Sequence, residues 1–323
     1  MITIRLSRYA KIFYSFLAAS AVSFPITASA QDLYVSNYIS QNGYRDINKI
    51  SPDGTVSTFA TGLYNPDGLA FDVNKNLYVS SGNSIQKIDP NGVVSTFAGG
   101  LSDPADLAFD ASGNLYAAEY YAGNIKKITP NGTISIFASG LSGTYGLAFD
   151  PSGNLFESNA ISNTINKIAP NGTVSSFVSS GLNHPYGLAF DANGNLFEAD
   201  YNSFKINKIA SDGIVSTFAT GIHTTYGYGP IDLAFDPSGN LLATSPGSTY
   251  LYGNNVKGTI YEITPSGIVS TFDNKTNAFG LAFAPSVAGS TPTSVPEPFT
   301  VIGTLIGGTA AFRMRKKLKL IAE

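Results

Sequence analysis

His184 in NHPYG and His223 in GIHTTYG are the only imidazoles in the 323-residue chain, and imidazole is the side chain best suited to moving a proton near neutral pH. Glu157 in LFESN and Glu198 in LFEAD are acids that such a base could work with. A loop histidine ahead of a proline serves backbone geometry as readily as catalysis, so no catalytic residue follows from the sequence alone. With no cysteine there is no thiolate nucleophile, disulfide or thiolate metal site. Neither a glycine-rich phosphate loop nor a serine elbow occurs, which argues against nucleotide chemistry and serine hydrolysis.

Oxygen ligands and aromatic rings are more abundant. Asn37, Ser81, Glu119, Asn159, Asp200 and Ser245 each stand at the end of a recurring strand signal. A ring of such oxygens would suit one Ca²⁺ or Mg²⁺ ion, with Glu119, Asn159 and Asp200 as its donors; a solvated rim is the other reading. Tyr120, Tyr121, Tyr145, Tyr186, Tyr201, Tyr226 and Tyr228 fall in the adjoining loops, and the insertion TSPGSTYLYGNNVKG adds Tyr250 and Tyr252. A tyrosine offers a flat apolar face and a hydroxyl, a combination suited to sugar rings or a partner protein.

The elements that must position these residues come from a repeat. LAF begins at Leu69, Leu107, Leu147, Leu188, Leu233 and Leu281, with phenylalanine spacings of 38, 40, 41, 45 and 48 residues from Phe71 to Phe283. Strand signals of the LYV, KI and VSTF kinds recur between them, so four strands repeat six times. PDG, PNG, SDG and PSG stand between the third and fourth signals, where Asn-Gly and Asp-Gly supply the positive φ of a tight hairpin. D-x-x-G-N stands between the first and second; its aspartate is read as a turn residue, because the alternating oxygens of a calcium loop are missing.

The fold class expected is all-β: a six-bladed β-propeller of four-stranded antiparallel blades. One such unit cannot bury both of its faces, and a closed ring of six can. The first strand signal of the chain, LYVSNY from Leu33, is of the second kind and its last, FGLAF from Phe279, is of the first. The ring should therefore close by pairing the C-terminal strand into the N-terminal blade, which removes an open edge. Gly68, Ala70 and their equivalents are small enough for inner strands to converge on a channel.

The pattern P-x-G-L-A-F-D-x-x-G-N-L-Y-V followed by I-x-K-I resembles the NHL repeat, and more broadly the six-bladed group that includes regucalcin/gluconolactonase-like and streptogramin-lyase-like proteins. The resemblance covers residues 33–285 and implies fold more firmly than activity. For a lyase it would imply a base histidine with an acid and a metal, yet the paired spacing is not evident. For a gluconolactonase-like hydrolase, the metal set is only loosely echoed by Glu119, Asn159 and Asp200.

The termini look like address labels. Arg5, Arg8 and Lys11 precede an apolar run, and Ala28-Ser29-Ala30 gives the small-x-small pattern of signal-peptidase cleavage, so residues 1–30 are expected to be a signal peptide. Residues 31–285 are the propeller and 286–294 a polar linker. Residues 295–323 carry Val295-Pro296-Glu297-Pro298, a 14-residue apolar stretch at 299–312 and five basic residues. That tail is similar to the PEP-CTERM sorting signal of Gram-negative bacteria, which implies processing by an exosortase, a membrane-held stage through a short transmembrane segment, and release to the cell surface or matrix.

The whole chain has 19 Lys and Arg against 22 Asp and Glu; setting aside the three leading bases, the five trailing ones, Glu297 and Glu323 leaves eleven against twenty, about −9. Nucleic acid is excluded as a partner, since it needs a basic face. The expectation is an exported propeller that binds protein or polysaccharide in the cell envelope or extracellular matrix without catalysis. The alternative is a metal-dependent lactonase- or lyase-like enzyme that uses the oxygen ring.

Overall fold

Each D-x-x-G-N aspartate folds back on its own turn. Asp110 Oδ1 accepts the Ser112 and Asn114 amides at 2.9 and 2.8 Å while Oδ2 accepts Asn114 Nδ2 at 2.7 Å. The same three bonds recur at Asp72, Asp150, Asp191 and Asp236. These carboxylates are consumed in locking the turn, as expected for Asp in this role. The hairpin glycines 54, 92, 132, 172, 213 and 267 all lie at φ between 79° and 86°.

These turns connect the strands of six four-stranded antiparallel sheets in a computed structural model that describes residues 31–37, 44–224, 227–247 and 258–285. The signal, linker and tail segments, with Ala28, Ala30 and Val295-Pro296-Glu297-Pro298, lie outside the described residues, as do Tyr226, Tyr250 and Tyr252. No helix among the described residues is long and apolar enough to cross a membrane.

The ring closes as the repeat requires. The strand Ala278–Phe283 pairs with Leu33–Asn37, placing Leu33 opposite Phe283, Tyr34 opposite Ala282 and Val35 opposite Leu281. This sheet is the first blade, completed by Tyr44–Ile50 and Val56–Tyr64. Blades two to six begin with the inner strands Pro66–Phe71, Pro104–Phe109, Thr144–Phe149, Pro185–Phe190 and Asp232–Phe235.

Packing between blades explains why the repeat keeps its aromatic residues. Tyr78 of the second blade meets Phe97 of its own outer strand and Phe109 of the next blade edge-on, at 4.9 and 5.1 Å. Tyr34, Tyr116, Phe156 and Phe197 make the equivalent pair of contacts, and Leu242 fills the sixth position beside Phe272 and Phe283. Edge-to-face geometry is the favoured arrangement of such rings.

Nearer the axis the seams are hydrogen-bonded. Ser36, Ser80 and Thr244 donate to the carbonyls of Asp67, Ala105 and Phe279 in the following blade, and Ser158 to that of Tyr186. Glycine at 68, 146, 187 and 280 is demanded by the same closeness. A Cβ on Gly146 would lie 2.3 Å from the Tyr186 carbonyl oxygen, and one on Gly280 would lie 2.3 Å from that of Asp67.

Candidate functional site

Convergence of the inner strands leaves a channel along the ring axis. On the face where loops enter the inner strands and leave the second strands, it widens into a cavity of about 460 Å³. Its wall includes Tyr120, Tyr121, Tyr145 and Tyr186, the carboxylates of Asp67 and Asp103, and Arg45. The rings form an arc: Tyr121 meets Tyr120 at 5.1 Å, Tyr120 meets Tyr145 at 6.3 Å, Tyr145 meets Tyr186 at 4.2 Å, and Tyr186 meets Tyr201 at 5.2 Å, all near edge-on. Tyr121 stands out at the rim, 79% exposed, while Tyr145 is buried. The arc thus grades from the mouth inward.

Below the arc the channel carries acids. Two inner strands place aspartate where four place glycine, so that Asp106 and Asp232 stand on opposite sides of the ring, three blades apart. Asp106 accepts the amides of its own Leu107 and of Leu147 in the next blade at 2.7 and 2.8 Å. Asp232 does the same with Leu233 and Leu281, both at 2.8 Å. A second cavity, of about 450 Å³, is lined by Asp106 and Asp232 together with the leucines of all six LAF segments and the phenylalanines of four. Tyrosines and acids line one end of the channel, and leucines, phenylalanines and the same two aspartates line the other.

Asp67 is bonded differently. Its carboxylate receives the Tyr145 hydroxyl, at 3.2 Å from one oxygen and 3.4 Å from the other. Burial pushes this carboxyl up to about 8, with Asp106 adding repulsion and Tyr145 offsetting part of it. Burial also raises Asp106, and it raises Asp232 well above the usual carboxylate range with Asp106 repelling it. Tyr145 and Tyr186 stay protonated, their hydroxyls pushed up chiefly by burial.

The oxygens expected to form one ring are placed on this face, but each works inside its own blade. Glu119 accepts the Ser102 amide at 2.8 Å, Asp200 accepts that of Asn183 at 3.2 Å, and Ser81 accepts that of Tyr64 at 3.0 Å. Ser245 donates to the Tyr228 carbonyl. In all four the partner is 17 residues earlier, in the segment that leads into the same blade, so the side chain pins that segment; for Ser81 the partner, Tyr64, is the last residue of the preceding blade's outer strand. Asn159 accepts the Ser162 amide at 2.9 Å and Asn37 donates to the Asp46 carbonyl at 3.3 Å. Among the described residues no group of three or more His, Cys, Asp or Glu side chains could hold a metal ion. Glu119, Asn159 and Asp200 are thus each engaged by an amide of their own blade.

The histidines and glutamates are likewise apart. His184 packs against Tyr186 and Tyr201, with its backbone at φ 63°. His223 packs against Phe204, and its Nδ1 lies 3.0 Å from the Thr224 carbonyl oxygen. Glu157 and Glu198 are fully buried, accepting Asn166 and Asn207 side-chain amides at 2.9 and 2.8 Å. Burial raises Glu157 to about 7 and Glu198 well above the usual range, the latter with Asp200 adding repulsion. Both are sealed against the neighbouring sheet, on the strand face that carries Leu155 and Leu196.

Tyr120, Tyr145 and Tyr186 are thus where the repeat places them, while Tyr228 lies outside the cavity wall. Sequence reasoning missed Asp67, Asp103, Asp106, Asp232 and Arg45. A usable signal existed for two of them: DLAF replaces GLAF at Asp106 and Asp232, a charge at the position the repeat reserves for its smallest residue.

No family model matches the chain, and no curated protein matches it by sequence. Solved structures do share its architecture. A streptogramin B lyase is 16% identical over 81% of this chain and 92% of its own, with a TM-score of 0.58. A gluconolactonase from Xanthomonas campestris is 19% identical over 68% of this chain and 84% of its own, with a TM-score of 0.56. A chain of a nidogen/laminin complex is 19% identical over 79% of this chain and 98% of its own, with a TM-score of 0.62. At such identities the likeness shows the fold alone: the chain is a six-bladed β-propeller.

Proposed function

We propose that this chain is an exported, NHL-type propeller with a PEP-CTERM-like sorting tail, and that its tyrosine-lined cavity binds polysaccharide at the cell surface or in the matrix without transforming it. The observation that carries this reading is the arc of four tyrosines on a cavity of about 460 Å³. Rings of this kind offer sugar CH faces an apolar surface and sugar hydroxyls a polar edge. The basic, apolar and small-residue pattern of residues 1–30, with the motif at Val295-Pro296-Glu297-Pro298, supports export.

The alternative, a metal-dependent lactonase- or lyase-like enzyme, draws on the fold shared with a streptogramin B lyase and a gluconolactonase. Against it, Glu157 and Glu198 are held inside blades and no hydrogen bond joins either to His184 or His223. Calorimetry of the purified chain with oligosaccharides of the host's exopolysaccharide tests the binding reading. Binding should weaken about tenfold in Tyr121→Ala, the loss of one stacking ring being worth roughly 1.4 kcal/mol. Lactone hydrolysis that needs added Ca²⁺ or Mg²⁺, with no glycan binding, would overturn it in favour of the enzyme.

A further inference from the structure

We infer that the cavity selects sugars bearing free, protonated amines, so that its ligand is a cationic amino-sugar polymer. This rests on the polysaccharide reading above and goes further by naming the charge of the sugar. The two carboxylates in the cavity wall are Asp67 and Asp103, against the single guanidinium of Arg45. Asp106 and Asp232 lie just beneath them in the channel, and the propeller body as a whole carries an acidic excess that favours a cationic ligand.

Asp67 is the distinctive residue. Asp106 and Asp232 each have both oxygens occupied by backbone amides. Among the described residues, the Asp67 carboxylate receives a hydrogen bond from Tyr145 alone, stretched between its two oxygens. A carboxylate has room for about four such bonds, and an ammonium brings three donors and the compensating charge together. Neutral hydroxyls would fill the lone pairs and leave the carboxyl protonated, with no charge to compensate its ionisation. An anionic sugar brings no positive charge that could hold Asp67 ionised.

The rings favour the same ligand. Tyr145 meets Asp67 through its hydroxyl, and Tyr186, Tyr120 and Tyr121 share the wall, where a cation passing within about 6 Å of a ring face is attracted by its quadrupole. The raised pKa of Asp67 is what an unpaired acid shows before its counter-ion arrives. Pairing with an ammonium should ionise it and release a proton. The charged or titratable groups around it are Asp103, Asp106, Asp232, Tyr145, Tyr186 and Arg45.

The test is calorimetric titration of the full chain at pH 6 with a β-linked glucosamine hexamer, the same hexamer N-acetylated, and a tetralysine peptide. The free-amine sugar should bind at least tenfold tighter than the acetylated one and than the peptide, with release of close to one proton. Asp67→Asn should erase both the preference and the proton release. Asp103→Asn, at an exposed site whose φ of 49° asparagine tolerates, should narrow the preference without touching the fold. Equal affinity for the two hexamers would remove the amine and leave the polysaccharide reading standing. Tightest binding of tetralysine would overturn the sugar in favour of a basic peptide, and binding of none of the three would overturn the amino-sugar inference, the polysaccharide reading being decided by the exopolysaccharide titration above.

Discussion

The third and fourth blades solve one problem in two ways. In the fourth, Gly146 lets the inner strand approach its neighbour, and Ser158 of the second strand bridges the seam, accepting the Gly146 amide at 2.8 Å and donating to the Tyr186 carbonyl. In the third, the glycine position holds Asp106 and the serine position holds Ala118; the aspartate itself spans the seam to the Leu147 amide at 2.8 Å. The hydroxyl has moved from one strand to a carboxylate on the other. A propeller seam thus carries at least one polar bridge near the axis, supplied by either strand, and the sixth blade uses both, through Thr244 and Asp232. The fifth blade, with Gly187 and Ala199, has neither side chain and uses the Gly187 amide to the Ile231 carbonyl at 2.9 Å.

Breaking the glycine solution should have the largest effect. Gly146→Val would set a branched side chain where even a Cβ lies 2.3 Å from the Tyr186 carbonyl oxygen. The seam would have to open, at a cost above about 3 kcal/mol, and the variant should be lost to limited proteolysis and lack a cooperative urea transition. A cooperative transition close to that of the parent would show that the seam is looser than it looks.

Exchanging one solution for the other should do less. Asp106→Gly removes the acceptor of two buried amides and should cost about 2–4 kcal/mol. Adding Ala118→Ser rebuilds the arrangement of the fourth blade and should return roughly half of that, read as non-additivity in a double-mutant cycle. Strict additivity would mean that the two residues do not share the seam.

The pH response sharpens the comparison further, with a smaller effect. Asp67 and Asp106 have folded-state pKa values raised above those of the unfolded chain, so between about pH 4 and 8 the folded state keeps protons that the unfolded state has released. Stability should therefore fall as pH rises through that window. Both groups keep a water-accessible edge on the channel, which moderates the effect. Melting temperature should be higher at pH 5 than at pH 8.5 by roughly 2–4 °C, on the order of 1 kcal/mol, and the difference should shrink in Asp67→Asn. A melting temperature independent of pH would show that channel water ionises these acids freely.

Turns and strands were legible because their causes are local. Asp110 and Asn114 sit four residues apart and close the same turn wherever they recur, and Gly92 needs its positive φ whatever lies around it. Even closure followed from which strand signal came first and which last. The tyrosines of the wall were legible as well, because repeat phase assigns each loop to one face.

The partners of the acids were not. Glu119, Asn159 and Asp200 share a phase, and sequence alone made them one ring; the structure gives Glu119 and Asp200 each a loop amide 17 residues earlier, and Asn159 one three residues later. Asp67 and Asp106 became the channel's acids through neighbours 78 and 41 residues away, Tyr145 and Leu147.

The sequence by itself determined the module, its number and the way the ring shuts, because period-two patterning, turn chemistry and repetition act over a few residues at a time. Only the tertiary structure decided which oxygens are spent on holding the ring and which are left for a ligand. That depends on the direction a side chain takes across a seam, and direction is set by atoms contributed from the neighbouring blade.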